Sequence, residues 1–209
     1  MTTTPVTFYH APNTRSSMVL WLLEEIGQPY DLKLLNTKTD EHRAPAQMAI
    51  NPMGKVPVIQ HMGQTVTESC AIATYLADLH PAAKLTPPIG HALRGPYLRW
   101  MFFYPACFEP AIVDRALKRE PGQKAMSPYG SFDATMDAVS GALAKGPYML
   151  GDTLSALDMV YGAGLSWTMM FKMTPERPEF TRYVAGLRQR PAWIKALAKD
   201  AEYATKFGA

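Results

Sequence analysis

The sequence predicts two parts of different class: a small mixed α/β region over residues 1–80 and an all-helical region over 91–209, joined by a linker at 81–90. Three observations predict it. Strand and helix signals alternate only in the first eighty residues. The stretch His80-Pro81-Ala82-Ala83-Lys84-Leu85-Thr86-Pro87-Pro88 carries neither pattern, and helical spacing runs through the rest of the chain. With 209 residues the chain can bury a substantial core, as one large domain or two small ones.

Taken in order, residues 6–9 read as a strand and 16–26 as a helix. In that helix Met18, Leu22 and Ile26, with Val19 and Leu23 beside them, form one apolar stripe, and Gly27 closes it. Residues 30–35 read as a second strand. Residues 56–60 and 65–67 form a hairpin through Met62-Gly63-Gln64, and helical spacing returns over 69–79. The order β-α-β-(α)-β-β-α describes a small mixed sheet with helices on its faces. The prolines of the linker remove backbone donors and forbid a continuous helix there. Beyond it, helices are predicted near 91–104, 129–144, 155–171, 179–190 and 192–203, with Pro178 and Pro191 at first-turn positions. Ser155-Ala156-Leu157-Asp158 has capping-box spacing, which starts a helix by satisfying two orphan N–H groups.

Charge and cysteine usage narrow the function classes. The net charge is +3, with 5 Lys/Arg against 7 Asp/Glu in residues 1–80 and 16 against 11 in the remainder. The basic excess is spread through amphipathic segments, which suits solvated helix surfaces, so no nucleic-acid partner is expected. Met1-Thr2-Thr3-Thr4-Pro5 lacks a basic stretch followed by an apolar core, and no later window approaches the roughly 18 apolar residues of a membrane span. A cytoplasmic protein with no membrane association is expected. Cys70 and Cys107 have neither CxxC spacing nor companion histidines, so no disulfide framework, redox pair or metal centre is expected, and both read as packing residues.

The most informative segment is Asn51-Pro52-Met53-Gly54-Lys55-Val56-Pro57-Val58-Ile59, followed by Glu68-Ser69. Val56-Pro57 interrupts a strand and is a candidate for the rare cis isomer, which would turn the Val56 N–H and C=O sideways. Those groups can pair with an extended peptide as an added strand would. Glu68-Ser69 at a helix start offers a carboxylate, a hydroxyl and orphan N–H groups. A small peptide bearing both an amine and a carboxylate would fit.

These residues, with Glu68-Ser69-Cys70-Ala71-Ile72-Ala73-Thr74-Tyr75-Leu76, resemble the glutathione-binding half of the glutathione S-transferase family. The opening Phe8-Tyr9-His10-Ala11-Pro12-Asn13-Thr14-Arg15-Ser16-Ser17 is similar to that family's first strand and active loop, and Tyr148 to Asp158 resembles a turn and cap of its helical half. The resemblance implies a thioredoxin-like N-terminal domain, an all-α C-terminal bundle, glutathione as co-substrate, a small hydrophobic electrophile as second substrate, a homodimer and a detoxification role. It implies that Val56 pairs with the cysteinyl backbone and that Glu68 and Ser69 hold the γ-glutamyl end. Lys55, His42 and Arg43 fall at positions that approach the glycine carboxylate, although His42 and Arg43 read equally well as solvated surface.

The cysteine of the family's cysteine-type bacterial enzymes falls on Arg15, which points to a thiolate held by a hydroxyl rather than to mixed-disulfide chemistry. Ser16 ranks first as that donor, then Thr14, with Tyr9 and Asn13 behind. Either of the first two reads alternatively as a simple helix cap. The electrophile pocket is expected across the domain junction, with Tyr104, Cys107, Phe108, Trp167 and Met170 as candidates that also read as helical core. Two alternatives stay beside transferase activity: a non-catalytic member that binds a protein partner, and a glutathione-dependent peroxidase or disulfide reductase.

Overall fold

β1 spans Val6–His10, one residue further than its pattern suggests, and that residue matters. Side chains alternate along a strand, so Phe8 and His10 lie on one face and Tyr9 on the other. The computed structural model describes residues 5–119, 122–123 and 125–208; residues 1–4, on which the expectation of no leader rests, lie outside them. α1 (Ser16–Ile26) ends at Gly27, whose left-handed φ of 70° lets its N–H donate to the Leu23 carbonyl. β2 (Tyr30–Leu34) pairs parallel to β1, and the short α2 (Pro45–Ile50) comes next. β3 (Val58–His61) begins just after Pro57, which has no N–H to give a ladder, and β4 (Gln64–Val66) returns through the Met62-Gly63 turn. The sheet order is β2-β1-β3-β4, with β3 antiparallel to both neighbours, and α3 (Ser69–Leu79) completes the expected order.

By the density of its internal contacts the chain divides into two units: residues up to Ala83 together with those from Arg190, and Lys84–Gln189. The expected single helical region over 91–209 therefore loses its last helix, α9 (Pro191–Thr205), to the first unit. The reason is its contact with α1. Trp193 meets Trp21 edge-on at 4.5 Å, and Arg190 binds Glu25 through two nitrogens at 2.6 and 2.9 Å. Lys195 and Lys199 converge on the buried Glu24 carboxylate at 2.7 and 2.5 Å. Burial pushes that carboxyl up, but the hydrogen bonds from Lys195, Lys199 and Tyr30 outweigh it and hold it below the usual range. Burial and the same carboxylate push the Tyr30 phenol well up. Leu20, Leu22, Ile72 and Leu76 are fully buried in this unit, each contributing about 1.5–3 kcal/mol of apolar burial.

The second unit is helical: α4 (Arg94–Phe103), α5 (Glu109–Ala116), α6 (Phe132–Leu143), α7 (Ala156–Met170) and α8 (Pro178–Arg188). The linker segment holds only a short 3₁₀ turn at Pro81–Ala83. α4 and α5 are joined by a π-helical turn, Tyr104–Phe108, in which the Glu109 N–H donates five residues back to the Tyr104 carbonyl. Pro105 and Pro110 cannot donate, which removes two rungs of an ordinary α ladder here. For that reason sequence pattern alone does not reveal α5. α6 starts at residue 132 rather than 129 because Ser131 Oγ accepts the Ala134 N–H. Tyr104, Phe108 and Tyr161 pack ring to ring at 5.2 and 5.6 Å, and a Cβ on Gly164 would collide with Tyr104.

The capping box forms as its spacing predicts: the Ser155 N–H donates to Asp158 Oδ2 at 2.8 Å. Asp158 also accepts from the Met149 N–H and the Tyr183 hydroxyl, both at 2.9 Å. Complete burial pushes its carboxyl up to about 6 against these donors, and pushes the Tyr183 phenol up with it.

Candidate active site

The loop between β1 and α1 is held by side chains rather than by a capping residue. Ala11 O accepts from Thr14 Oγ1 at 2.7 Å and from Ser16 Oγ at 2.9 Å, while the Ala11 N–H donates to Ser16 Oγ at 3.1 Å. The two hydroxyls are 2.7 Å apart, and the Ser16 N–H donates to Thr14 Oγ1 at 3.2 Å. Asn13 takes a left-handed φ of 58°, which asparagine tolerates better than most residues, and its N–H donates to Asp200 Oδ2 at 3.0 Å. Ser17 Oγ donates to Asp200 Oδ1, also at 3.0 Å. α9 thus reaches the loop through a single buried carboxylate.

Ser16, ranked first on sequence, is fully buried, and its hydroxyl faces four partners including His10 Nδ1 at 2.7 Å. A donor so enclosed cannot present its proton to a bound sulfur. Thr14 is half-buried and Asn13 exposed, so both are more accessible than Ser16. Tyr9 leaves the loop altogether. Its ring packs with Leu35 and Val58, and its hydroxyl donates to Gln60 Oε1 at 2.8 Å, because strand alternation turns it away from α1.

The Val56–Pro57 bond is cis. Val56 packs on the Tyr9, Leu35 and Val58 cluster, and neither its N–H nor its C=O pairs with another backbone group among the described residues. The preceding turn is built by Asn51, a buried residue to which sequence pattern gives no role. Asn51 Nδ2 donates to the Lys55 carbonyl at 2.9 Å, Oδ1 accepts the Met53 N–H at 3.1 Å, and its carbonyl accepts the Gly54 N–H at 2.9 Å. Gly54 has a φ of 58°, and a Cβ there would press on Met48 Sδ at 3.0 Å and Arg43 Cγ at 3.1 Å, so Arg43 lies against this turn. Lys55 is exposed, whereas His42 is half-buried and its Nδ1 has no partner among the described residues.

Glu68, exposed, adopts φ 65° and ψ 116° at the start of α3. A non-glycine residue held there costs about 1–3 kcal/mol, the kind of strain that clusters at binding sites. It carries the chain into α3 so that the first N–H groups of the helix, with the Ser69 hydroxyl, open beside it.

The five pocket candidates do not form one cluster. Tyr104 and Phe108 belong to the core of the second unit, while Trp167 and Met170 are 48% and 65% exposed at the end of α7. Cys107 Sγ contacts the Pro128 carbonyl at 3.4 Å, and burial pushes its thiol up, which keeps it protonated. Among the described residues, no group of three His, Cys, Asp or Glu side chains is placed to hold a metal ion, and no helix is long and apolar enough to cross a membrane.

His10 and Asp200 are the site residues that sequence reasoning misses. His10 is found from the strand alternation Phe8, His10 once the strand is extended by one residue. Asp200 has a signal of its own: it interrupts the buried stripe Ala196, Asp200, Ala204, where a lone carboxylate needs partners.

Comparison with known proteins gives a consistent picture. Residues 4–78 match the family model described as glutathione S-transferase, N-terminal domain. "Glutathione S-transferase hmp2" of Hypomyces subiculosus is 28% identical over 200 residues, covering 88% of this chain and 94% of that protein. "Glutathione S-transferase 3" of Schizosaccharomyces pombe is 26% identical over 170 residues, covering 73% and 70%. Among solved structures, a glutathione transferase from Methylococcus capsulatus superposes with a TM-score of 0.80 at 27% identity, covering 94% of this chain and 99% of that one. A sphingomonad glutathione S-transferase complexed with glutathione gives 0.77 at 25% identity, covering 93% and 98%. The four-stranded mixed sheet with its helices is the thioredoxin-like arrangement of these structures, and the helical second unit accords with them. Residues 4–78 thus carry a glutathione S-transferase N-terminal domain, and the fold and the near full-length relatives support a member of the glutathione S-transferase family.

Proposed function

We propose that the protein binds glutathione along the Val56 edge and the start of α3, and adds its thiolate to an apolar electrophile. The observation that carries this reading is the Val56 backbone, without a backbone partner among the described residues, lying in the chain between the Asn51-built turn and the strained Glu68. Relatives named glutathione S-transferases support transferase activity in general. In this reading the Val56 N–H and C=O pair with the cysteinyl backbone, Glu68 binds the γ-glutamyl amine, and Ser69 with the α3 N–H groups binds its carboxylate. Lys55, with Arg43 and His42 beside the turn, supplies positive charge for the glycine carboxylate.

Thr14 replaces Ser16 as the proposed donor to sulfur, supported by its partial exposure and by the enclosure of Ser16. A thiol with an ordinary pKa of about 8.5 must fall by about two units to be largely ionised near neutrality, which takes about 2.7 kcal/mol. One hydrogen bond to the charged sulfur contributes about 1.5–3 kcal/mol and the α1 terminus up to about 2. Together these suffice, with proximity supplying the rest of the rate. Trp167 and Met170 are the proposed electrophile contacts, on the strength of their exposed apolar surface. We place the protein in the cytoplasm as a homodimer with a detoxifying role.

The internal engagement of both loop hydroxyls favours one second reading, a glutathione-binding member without transferase activity. A turnover screen with aryl halides, enones, epoxides and hydroperoxides separates the two. Conjugation of any electrophile with saturation in glutathione supports the proposal. Saturable binding with no turnover overturns it, and turnover with hydroperoxides alone replaces it by a peroxidase.

A further inference from the structure

The glutathione reading gives no task to the most enclosed titratable group near the loop. His10 is fully buried on the helix-facing side of β1, and its two ring nitrogens meet chemically different partners. Nδ1 lies 2.7 Å from Ser16 Oγ, which lies 2.7 Å from Thr14 Oγ1. Nε2 lies 2.9 Å from Asp200 Oδ1 without the alignment of a linear hydrogen bond, a contact that becomes an ion pair when the ring is protonated. The titratable groups against the ring are Asp200 and Tyr203, both of α9; the Tyr203 ring stands edge-on at 5.9 Å, and Phe8 covers the ring at 5.3 Å.

We propose that Thr14, Ser16, His10 and Asp200 form a proton relay that takes the thiol proton of bound glutathione and keeps it inside the protein as an imidazolium–carboxylate pair. This rests on the glutathione reading. The relay starts from the tautomer that the partners assign, with the ring proton on Nε2 facing Asp200 and Nδ1 accepting from Ser16. Each loop hydroxyl has one proton, which rests on the Ala11 carbonyl and connects the chain when it turns to the next acceptor at 2.7 Å, from Thr14 to Ser16 Oγ and from Ser16 to His10 Nδ1. When the S–H bond breaks, the sulfur keeps the electron pair and Thr14 Oγ1 takes the proton. Thr14 passes its own proton to Ser16 Oγ, and Ser16 passes its own to His10 Nδ1. Each hydroxyl ends as it began, one N–H bond has replaced one S–H bond, and Asp200 faces an imidazolium. No oxidant or co-reactant is needed.

A purely structural role for Asp200 is already met by the Asn13 N–H and the Ser17 hydroxyl, which tie α9 to the loop without any imidazole. Adding a ring that can carry charge, in line with two hydroxyls that lead outward to Thr14, is what a relay requires.

The test tracks His10 itself. Protein labelled with ¹⁵N-histidine is titrated with glutathione in weak buffer while thiolate absorbance and proton release are recorded, and His10→Gln assigns the signal. The expected result is that the His10 nitrogens move from the neutral to the imidazolium pattern in step with thiolate formation. Less than a full proton is then released per thiolate. Ser16→Ala, which cuts the chain but keeps His10 and Asp200, should leave His10 neutral and release the full proton. A His10 that stays neutral in the wild type while thiolate forms with full release overturns the relay and leaves glutathione binding standing. Absence of saturable binding overturns the glutathione reading beneath it.

Discussion

Replacing Asp158 by alanine tests how the second unit is held. At pH 8, above the value near 6 to which burial pushes it, the carboxylate accepts from the Met149 N–H, the Ser155 N–H and the Tyr183 hydroxyl at 2.8 to 2.9 Å. The substitution strands three buried donors at about 1–3 kcal/mol each, offset in part by release from the cost of burying the charge. The net destabilisation expected is about 3–5 kcal/mol, a large share of the 5–15 kcal/mol typical of a folded domain. Urea unfolding of wild type, Asp158→Ala, Tyr183→Phe and the double variant, monitored by circular dichroism and tryptophan fluorescence, measures it. The double variant should lose at least about 1 kcal/mol less than the singles added, because Tyr183→Phe removes one of the stranded donors. A loss under about 1 kcal/mol in Asp158→Ala, or strict additivity, would rule out this buried network as a support of the second unit.

Three further outcomes are expected. Thr14→Val should raise the pKa of the bound thiol by about 1–2 units, read from thiolate absorbance against pH, because it removes one hydrogen bond to a charged sulfur. Glu68→Gln and Ser69→Ala should each weaken glutathione about 10-fold by calorimetry, the loss of one charge-assisted hydrogen bond, with the fold intact by circular dichroism. Glu24, held below the usual carboxyl range, binds its proton more weakly folded than unfolded. Its contribution is therefore present above about pH 4.5 and fades as the pH falls below that. Glu24→Gln should lower stability at neutral pH and flatten the acid limb of the profile; an unchanged acid limb would show that the Lys195 and Lys199 contacts carry no stability.

What is legible in the sequence is what local physics decides. α1 with its Gly27 terminus, the β3–β4 hairpin, α3 and the Ser155–Asp158 box each follow from spacing within one turn or one strand. The Val56 edge and the Glu68-Ser69 start are legible because a proline after valine, and an acid and hydroxyl at a helix entry, are short signals. Contacts between distant parts of the chain are not. Asp200 reaches Asn13 across 187 positions, and no local pattern assigns α9 to the first unit. The surroundings of Ser16 are hidden for the same reason: its spacing puts a hydroxyl at the α1 terminus, but packing against the His10 ring decides which way that hydroxyl points. α5 is hidden by prolines that a π turn accommodates.

Glutathione held jointly by the edge beside Val56 and the start of α3 is the premise on which every step of the chemistry depends. Titration calorimetry of the wild-type protein with reduced glutathione, set beside the oxidised disulfide form and γ-glutamylcysteine, puts that premise to the test. Saturable heat is expected with glutathione at one site per chain, with weaker binding of γ-glutamylcysteine for want of the glycine carboxylate, and loss of the signal in Glu68→Gln combined with Ser69→Ala. No heat with glutathione at millimolar concentration, or binding indifferent to that double substitution, would show the premise to be false.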